Sequence, residues 1–120
     1  MAVLFNTGNG FDSLGREEEA VLYYDQALEL DPGYADAWNN KGYSLDSLGR
    51  LEEAIFSYDQ ALALDPSFVN AWYNKALSED ELGHLRDATR SFQQFLAIAP
   101  AQYIEQIELV RKRLRELETK

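Results

Sequence analysis

Apolar and small residues return at three- and four-residue steps along most of this chain, the spacing of one face of a helix. In the middle of the sequence Trp38, Gly42, Leu45 and Leu48 share such a face, in a run that opens near Asp36 and Asn39. Gly49 closes the run, because glycine accepts the left-handed backbone found just past a helix C-terminus. A second run begins at Leu51-Glu52-Glu53, with acids at the positive end of the helix dipole. Its inner stripe is Ala54, Ile55, Tyr58, Ala61 and Leu62. Pro66 ends it, since the residue before a proline avoids helical geometry. The pattern predicts a helical hairpin.

That hairpin is copied at a fixed interval of 34 residues. Asp31-Pro32 returns as Asp65-Pro66, and Pro100 follows at the same spacing. Asp12-Ser13-Leu14-Gly15-Arg16 returns as Asp46-Ser47-Leu48-Gly49-Arg50, and Tyr24-Asp25-Gln26-Ala27-Leu28 as Tyr58-Asp59-Gln60-Ala61-Leu62. Ala37-Trp38 returns as Ala71-Trp72. A period in this range is the mark of a solenoid, in which one small unit is stacked on its copies. Small residues at Gly8, Ala20 and Ala27, repeated as Gly42, Ala54 and Ala61, let two helices approach closely, and Trp38 and Tyr58 fill the space beside them.

These residues resemble the tetratricopeptide repeat family. Its pattern is Trp, Gly, Ala, an aromatic, Ala and Pro at set spacings, and Trp38, Gly42, Ala54, Tyr58, Ala61 and Pro66 match it throughout. The first copy has Leu4 for the tryptophan but keeps Gly8, Ala20, Tyr24, Ala27 and Pro32. The third keeps Trp72, Ala88, Phe92 and Pro100 and departs with Ala76 for Gly and Phe95 for Ala. The resemblance covers residues 1–100 and implies an all-α, right-handed α–α superhelix of three helix-turn-helix repeats, near 1–34, 35–68 and 69–102. In the tail, 101–120, Tyr103, Ile107, Val110, Leu114 and Leu117 form one apolar stripe on an otherwise charged helix. In the family such a helix caps the last hairpin; a short two-stranded coiled coil is the other reading of the same spacing. No comparable cap precedes the first repeat, so the chain is expected to be a piece of a longer array or to pair through that open end.

Glu79 departs from the pattern too, because it takes the place of Phe11 and Leu45. An unpaired buried carboxylate is expensive. Two readings are open: Glu79 is partly exposed at a loosened turn, or it is buried and paired with Lys75 one turn earlier.

Charge and composition narrow the function. The net charge is −10; residues 1–100 hold 17 acids against 6 bases, and residues 101–120 hold 4 against 5. So acidic a repeat region repels phosphate backbones and anionic membrane surfaces, which argues against nucleic-acid and membrane partners. No apolar run approaches the roughly 18 residues of a membrane span. Met1-Ala2-Val3-Leu4-Phe5 lacks the basic region of a signal peptide, so a cytoplasmic location is the expectation. Without cysteine there is no disulfide framework and no thiolate metal site. The one histidine, His84, follows a turn glycine where Arg16 and Arg50 stand in the other copies, and it reads as a solvated turn residue. Every glycine reads as a helix end or a close-packing point, which leaves no phosphate-cradling loop. Glu17-Glu18-Glu19 and Glu79-Asp80-Glu81 lack calcium-loop spacing. No enzymatic activity, cofactor or metal is expected.

The resemblance also implies a binding surface. In this family the first helices of successive repeats line a concave groove that holds peptides, often extended ones. The lining places hold Phe5, Asn6, Asn9, Asp12 and Ser13 in the first copy. They hold Asp36, Asn39, Asn40, Tyr43, Asp46 and Ser47 in the second, and Asn70, Tyr73, Asn74, Leu77, Asp80 and Glu81 in the third. Asn6, Asn40 and Asn74 form one ladder, and Asp12, Asp46 and Asp80 another. Asparagine amides can both donate to and accept from a peptide backbone, and a row of aspartates favours Lys or Arg on the ligand. Phe5, Tyr43 and Tyr73 offer flat apolar anchors. The bland alternative is that the ladders are inherited repetition, solvated and idle.

Chaperone-binding members of the family grip the terminal carboxylate of heat-shock proteins with two lysines, an arginine and two asparagines. Asn9 and Asn40 match the asparagines, but the basic places hold Phe5, Asn70 and Asn74, so no heat-shock carboxylate ligand is expected. The sequence leaves two function classes: an interaction module for a basic or neutral protein or peptide segment, and a self-associating structural element that forms homo-oligomers.

Overall fold

Three left-handed glycines divide the repeats into hairpins. Gly15, Gly49 and Gly83 have φ of 74°, 77° and 80°. Each is fixed by the same two closing bonds. The Gly49 amide donates to the Asp46 carbonyl and the Arg50 amide to the Leu45 carbonyl, both at 2.9 Å. Gly15 and Arg16 do this with Asp12 and Phe11, and Gly83 and His84 with Asp80 and Glu79. This double closure satisfies the carbonyls a helix leaves open at its end.

The computed structural model describes residues 1–119. They form α1 (Ala2–Ser13), α2 (Glu17–Leu30), α3 (Ala35–Ser47), α4 (Leu51–Leu64), α5 (Val69–Glu81), α6 (Leu85–Ile98) and α7 (Ile104–Glu118), with a single 3₁₀ turn at Ala101–Tyr103 before α7. No strand occurs among the described residues. α1–α2, α3–α4 and α5–α6 are hairpins, and α3 and α5 each pack back on the second helix of the hairpin before them. The stack measures 45 × 26 × 23 Å.

The seams are lined by small residues. Ala20, Ala27, Ala37, Ala54, Ala61, Ala71, Ala76 and Ala88 are all fully buried. A Cβ added at Gly8 would stand 2.7 Å from Tyr24 Cε1, and one at Gly42 would stand 2.6 Å from Tyr58 Cε1. Both tyrosine rings are fully buried, so glycine is what lets them lie across α1 and α3. Gly10 is different: it lies inside α1, exposed, with nothing within 4 Å of an added Cβ. The expectation that every glycine marks a helix end or a close contact fails there.

Two further devices tie each hairpin to its predecessor. Trp38 Nε1 donates to the Pro32 carbonyl at 3.0 Å, and Trp72 Nε1 to that of Pro66 at 2.8 Å. The aspartate before each proline shapes the same turn: Asp31 Oδ1 accepts the Gly33 amide, and Asp65 Oδ1 the Ser67 amide, both at 3.1 Å. On α3 and α5, Lys41 and Lys75 reach back to Asp25 on α2 and Asp59 on α4, at 2.7 Å in each case. Their ammonium groups lie 5.4 Å from the Trp38 and Trp72 ring centres.

That geometry corrects both readings of Glu79. The residue is buried, so it is not a loosened, partly exposed turn position. Nor does Lys75 pair with it, because Lys75 points across the seam to Asp59. Its partner is Ser91 on α6, whose hydroxyl donates to Glu79 Oε1 at 2.6 Å.

The third hairpin ends differently from the others. Phe95, where the other copies have alanine, is fully buried and packs with Ile107 and Val110 of α7. Its ring meets Tyr73 at 5.2 Å and Tyr103 at 6.2 Å. The apolar stripe read in the tail thus runs from Tyr103 in the 3₁₀ turn along the face of α7 that packs on Phe92 and Phe95 of α6.

Candidate peptide-binding groove

Residues at the second, fifth, sixth, ninth, twelfth and thirteenth places of each 34-residue copy, carried by α1, α3 and α5, share one helical face by spacing. The neighbouring helix decides how much of that face stays open. Asn6, Asp36, Asn70, Ser13, Ser47 and Glu81 are exposed. Asn9, Asp12, Asn40, Asp46, Asn74, Leu77 and Asp80 are partly buried. Asn39 is buried, so the structure removes it from the open lining; its Oδ1 accepts a bond from Asn74 Nδ2 at 3.4 Å.

The asparagines face one another. Asn9 Oδ1 accepts from Tyr24 Oη at 2.6 Å and from Asn40 Nδ2 at 2.9 Å. Burial, together with the Asp12 charge, pushes the Tyr24 hydroxyl up to about 12, so it stays a proton donor at neutral pH. The Asn40 and Asn74 amides are therefore held by the neighbouring helix instead of standing free, as the sequence reading had them. Asn6 alone of that ladder is exposed.

The aspartate rungs differ from one another as well. Asp12 accepts from Ser44 Oγ at 3.2 Å, and burial raises its carboxyl above the ordinary value. Asp80 takes a two-pronged grip from α7: Arg113 Nε on Oδ2 and Nη2 on Oδ1, each at 2.8 Å. Asp46 is raised by burial first and by the Glu81 charge second, with no hydrogen bond to lower it.

The aromatic anchors are mostly spoken for. Phe5 packs on Tyr34 at 4.7 Å and on Tyr24 at 5.9 Å, and Tyr73 packs on Phe95. Tyr43 is the open one, 52% exposed. Beside Asp80, a hollow of about 240 Å³ lies between α5 and α7, lined by Tyr73, Leu77, Leu109, Val110 and Arg113 among others. Sequence reasoning had no place for Leu109 or Arg113 in the groove. The usable signal was the period itself, which sets Lys112 level with Ser44 and Ser78 and Arg113 next to it. A larger hollow, about 470 Å³, opens on another face of α5 beside Trp72, Lys75, Glu79 and Ser91.

Comparison with known proteins follows the same architecture. No match occurs among curated protein sequences. Among solved structures, the chain is similar to the first TPR of Spaghetti (RPAP3) bound to the HSP90 peptide SRMEEVD. Identity is 21% and the TM-score 0.88, over 98% of this chain and 90% of that one. It is also similar to SycD, the type III secretion translocator chaperone of Yersinia enterocolitica, at 17% identity and a TM-score of 0.92, over 98% and 83%. The second TPR of Spaghetti, bound to the same HSP90 peptide, is 27% identical with a TM-score of 0.79, over 81% and 90%. Profiles of the tetratricopeptide repeat match residues 1–34, 35–68 and 69–102 end to end, and the chain belongs to that family.

Proposed function

We propose that this chain is a non-enzymatic interaction module whose groove takes an extended peptide or protein segment of basic or neutral character. The observation that carries the reading is the face shared by α1, α3 and α5. It combines an exposed aromatic at Tyr43, carboxylates at Asp36, Asp46 and Glu81, and an apolar hollow at Leu77. Two of the similar structures hold a peptide, by their descriptions. Those peptides are acidic, and acceptance of such a ligand by this groove is disfavoured by its charge. Phe5, Asn70 and Asn74 stand where the carboxylate-gripping members carry cations.

The test is a binding titration with wild type and with the double variant Asn40→Ala, Asp46→Ala, folding checked by circular dichroism. Basic and neutral peptides should bind wild type and lose affinity for the variant. Micromolar binding of SRMEEVD would overturn the charge preference. Unchanged binding of all peptides by the folded variant would remove the groove as the site.

One observation favours a second reading, self-association through α1. Ala37 and Ala71 are fully buried by the preceding hairpin, as are Ser44 and Ser78, whereas Val3 at the equivalent place is 76% exposed and Gly10 is open. Light scattering across concentrations separates the two. If Val3→Glu dissolves an oligomer while leaving peptide binding intact, the two functions occupy different faces.

A further inference from the structure

Two junctions join the first helices, and only one of them closes its hydrogen bonds. At the α1–α3 junction Tyr24 Oη and Asn40 Nδ2 both donate to Asn9, and Ser44 Oγ donates to Asp12. At the α3–α5 junction the equivalent places hold Tyr58, Asn74, Tyr43, Ser78 and Asp46. Tyr43 stands where Asn9 was, so the central acceptor is gone. Asn74 turns to Asn39 instead. Tyr58 Oη and Ser78 Oγ are left without a partner, although both side chains are almost wholly buried. Buried hydroxyls in native proteins nearly always have one.

The carboxylate at this junction is equally unmet. The Asp46 charge acts on the Tyr58 hydroxyl, which burial first of all holds above its ordinary value. Glu81 adds charge of the same sign. Lys41 and Lys75 are committed elsewhere, to Asp25 and Asp59. The neighbouring rung shows what fills such a place. There the guanidinium of Arg113 lies across Asp80 with two parallel bonds, the geometry in which arginine outperforms lysine.

We propose that the α3–α5 junction is a subsite for one arginine side chain of a bound peptide, with Asp46 as its carboxylate, Tyr58 and Ser78 as further acceptors, and Tyr43 as the face it stacks on. The five donors of a guanidinium match one carboxylate and two hydroxyl oxygens, which a single ammonium or a neutral amide does less fully. The inference rests on the groove reading above and assigns its charge preference to one rung. Asp12 already has a hydroxyl from Ser44 and Asp80 already has its arginine, so Asp46 is the aspartate left for a ligand.

The probes are capped five-residue peptides of Ala and Asn whose central residue is arginine, citrulline or glutamate, titrated into the full chain and followed by backbone amide shifts. The arginine peptide should move the amides of Tyr43, Asp46 and Ser78 and bind roughly tenfold tighter than the citrulline peptide, the ratio that one charge-assisted pair supplies. Asp46→Asn should erase that ratio, while Glu29→Gln, an exposed acid on α2, should leave it unchanged. Tyr58→Phe should weaken arginine binding several-fold without lowering the melting temperature, since it removes a hydroxyl that has no partner in the free chain. Equal binding of arginine and citrulline on the concave face would overturn the subsite and leave the groove. Shifts confined to other acidic surfaces would overturn the subsite alone. No shift from any peptide would overturn both.

Discussion

The hydroxyl of Ser91 on α6 donates to the buried carboxylate of Glu79 on α5 across 2.6 Å, and the second repeat shows what this pair replaces. There the two places hold Leu45 and Ser57, and Ser57 Oγ donates to the carbonyl of Glu53 one turn back at 3.2 Å. Glu79→Leu restores that arrangement, because Ser91 can turn to the carbonyl of Asp87. The variant should be more stable by about 1–2 kcal/mol, since a buried charge gives way to an apolar group of similar size. Ser91→Ala should be less stable by about 1–3 kcal/mol, because it strips the carboxylate of its donor. Thermal melts of the two variants check both signs, and a loss in Glu79→Leu would mean that the carboxylate is needed.

Acid should narrow the gap between wild type and Glu79→Leu. Burial holds the Glu79 carboxyl above its usual 4.5, against the opposite pull of Ser91 and Lys75. A raised carboxyl binds its proton more tightly folded than unfolded, so stability grows as pH falls from above the raised value toward the ordinary one and then levels off. Wild type should therefore gain on the variant as pH falls from neutral toward the ordinary carboxylate range, and the gain should level off below it. Asp12 and Asp46 are raised too, and both proteins share that part of the change. Parallel melting curves across the range would contradict the linkage.

Two helix-interior glycines should respond to alanine with opposite signs. Gly10 has open space around an added Cβ, so Gly10→Ala should stabilise by about 0.5–1 kcal/mol through helix propensity. At Gly42 the new methyl would press on the buried Tyr58 ring, and Gly42→Ala should lose about 1–3 kcal/mol through overpacking. Denaturant midpoints of the two variants, compared with wild type, decide the matter.

Arg113→Ala should free the end of the molecule without melting the rest. The residue links α7 to Asp80, while Ile107 and Val110 provide the apolar contact. Amide exchange should quicken along α7 and stay unchanged in α3 and α4. Slow exchange throughout would show that apolar packing alone holds α7.

Hairpin boundaries were legible because glycine and proline impose backbone conformations whatever surrounds them, and Gly15, Gly49, Gly83, Pro32 and Pro66 stand where those conformations are needed. The 34-residue period then set the stacking. Partnerships across the hairpin were not legible. Glu79 and Ser91 are twelve residues apart on different helices, whereas Lys75 lies one turn from Glu79 on the same helix, where spacing alone suggests a partner. The groove face was legible as a face, but helical spacing says nothing of how far the next copy covers it. For that reason Asn39 reads as lining and proves to be buried, while Asn9 is half-buried and hydrogen-bonded to Tyr24 and Asn40. The contrast between Asn9 and Tyr43 was visible as a substitution; its consequence for Tyr58 needed the third dimension.

Trp38 and Trp72 belong by sequence to one hairpin and fasten to the turn of the one before, so no unit owns all of its own anchors. Prising a seam apart must strip an indole from its neighbour's turn and, at the same time, a lysine from its aspartate. Tension applied between the two ends would thus load the indole and the ion pair of a seam together, so a hairpin should be lost with both its links at once.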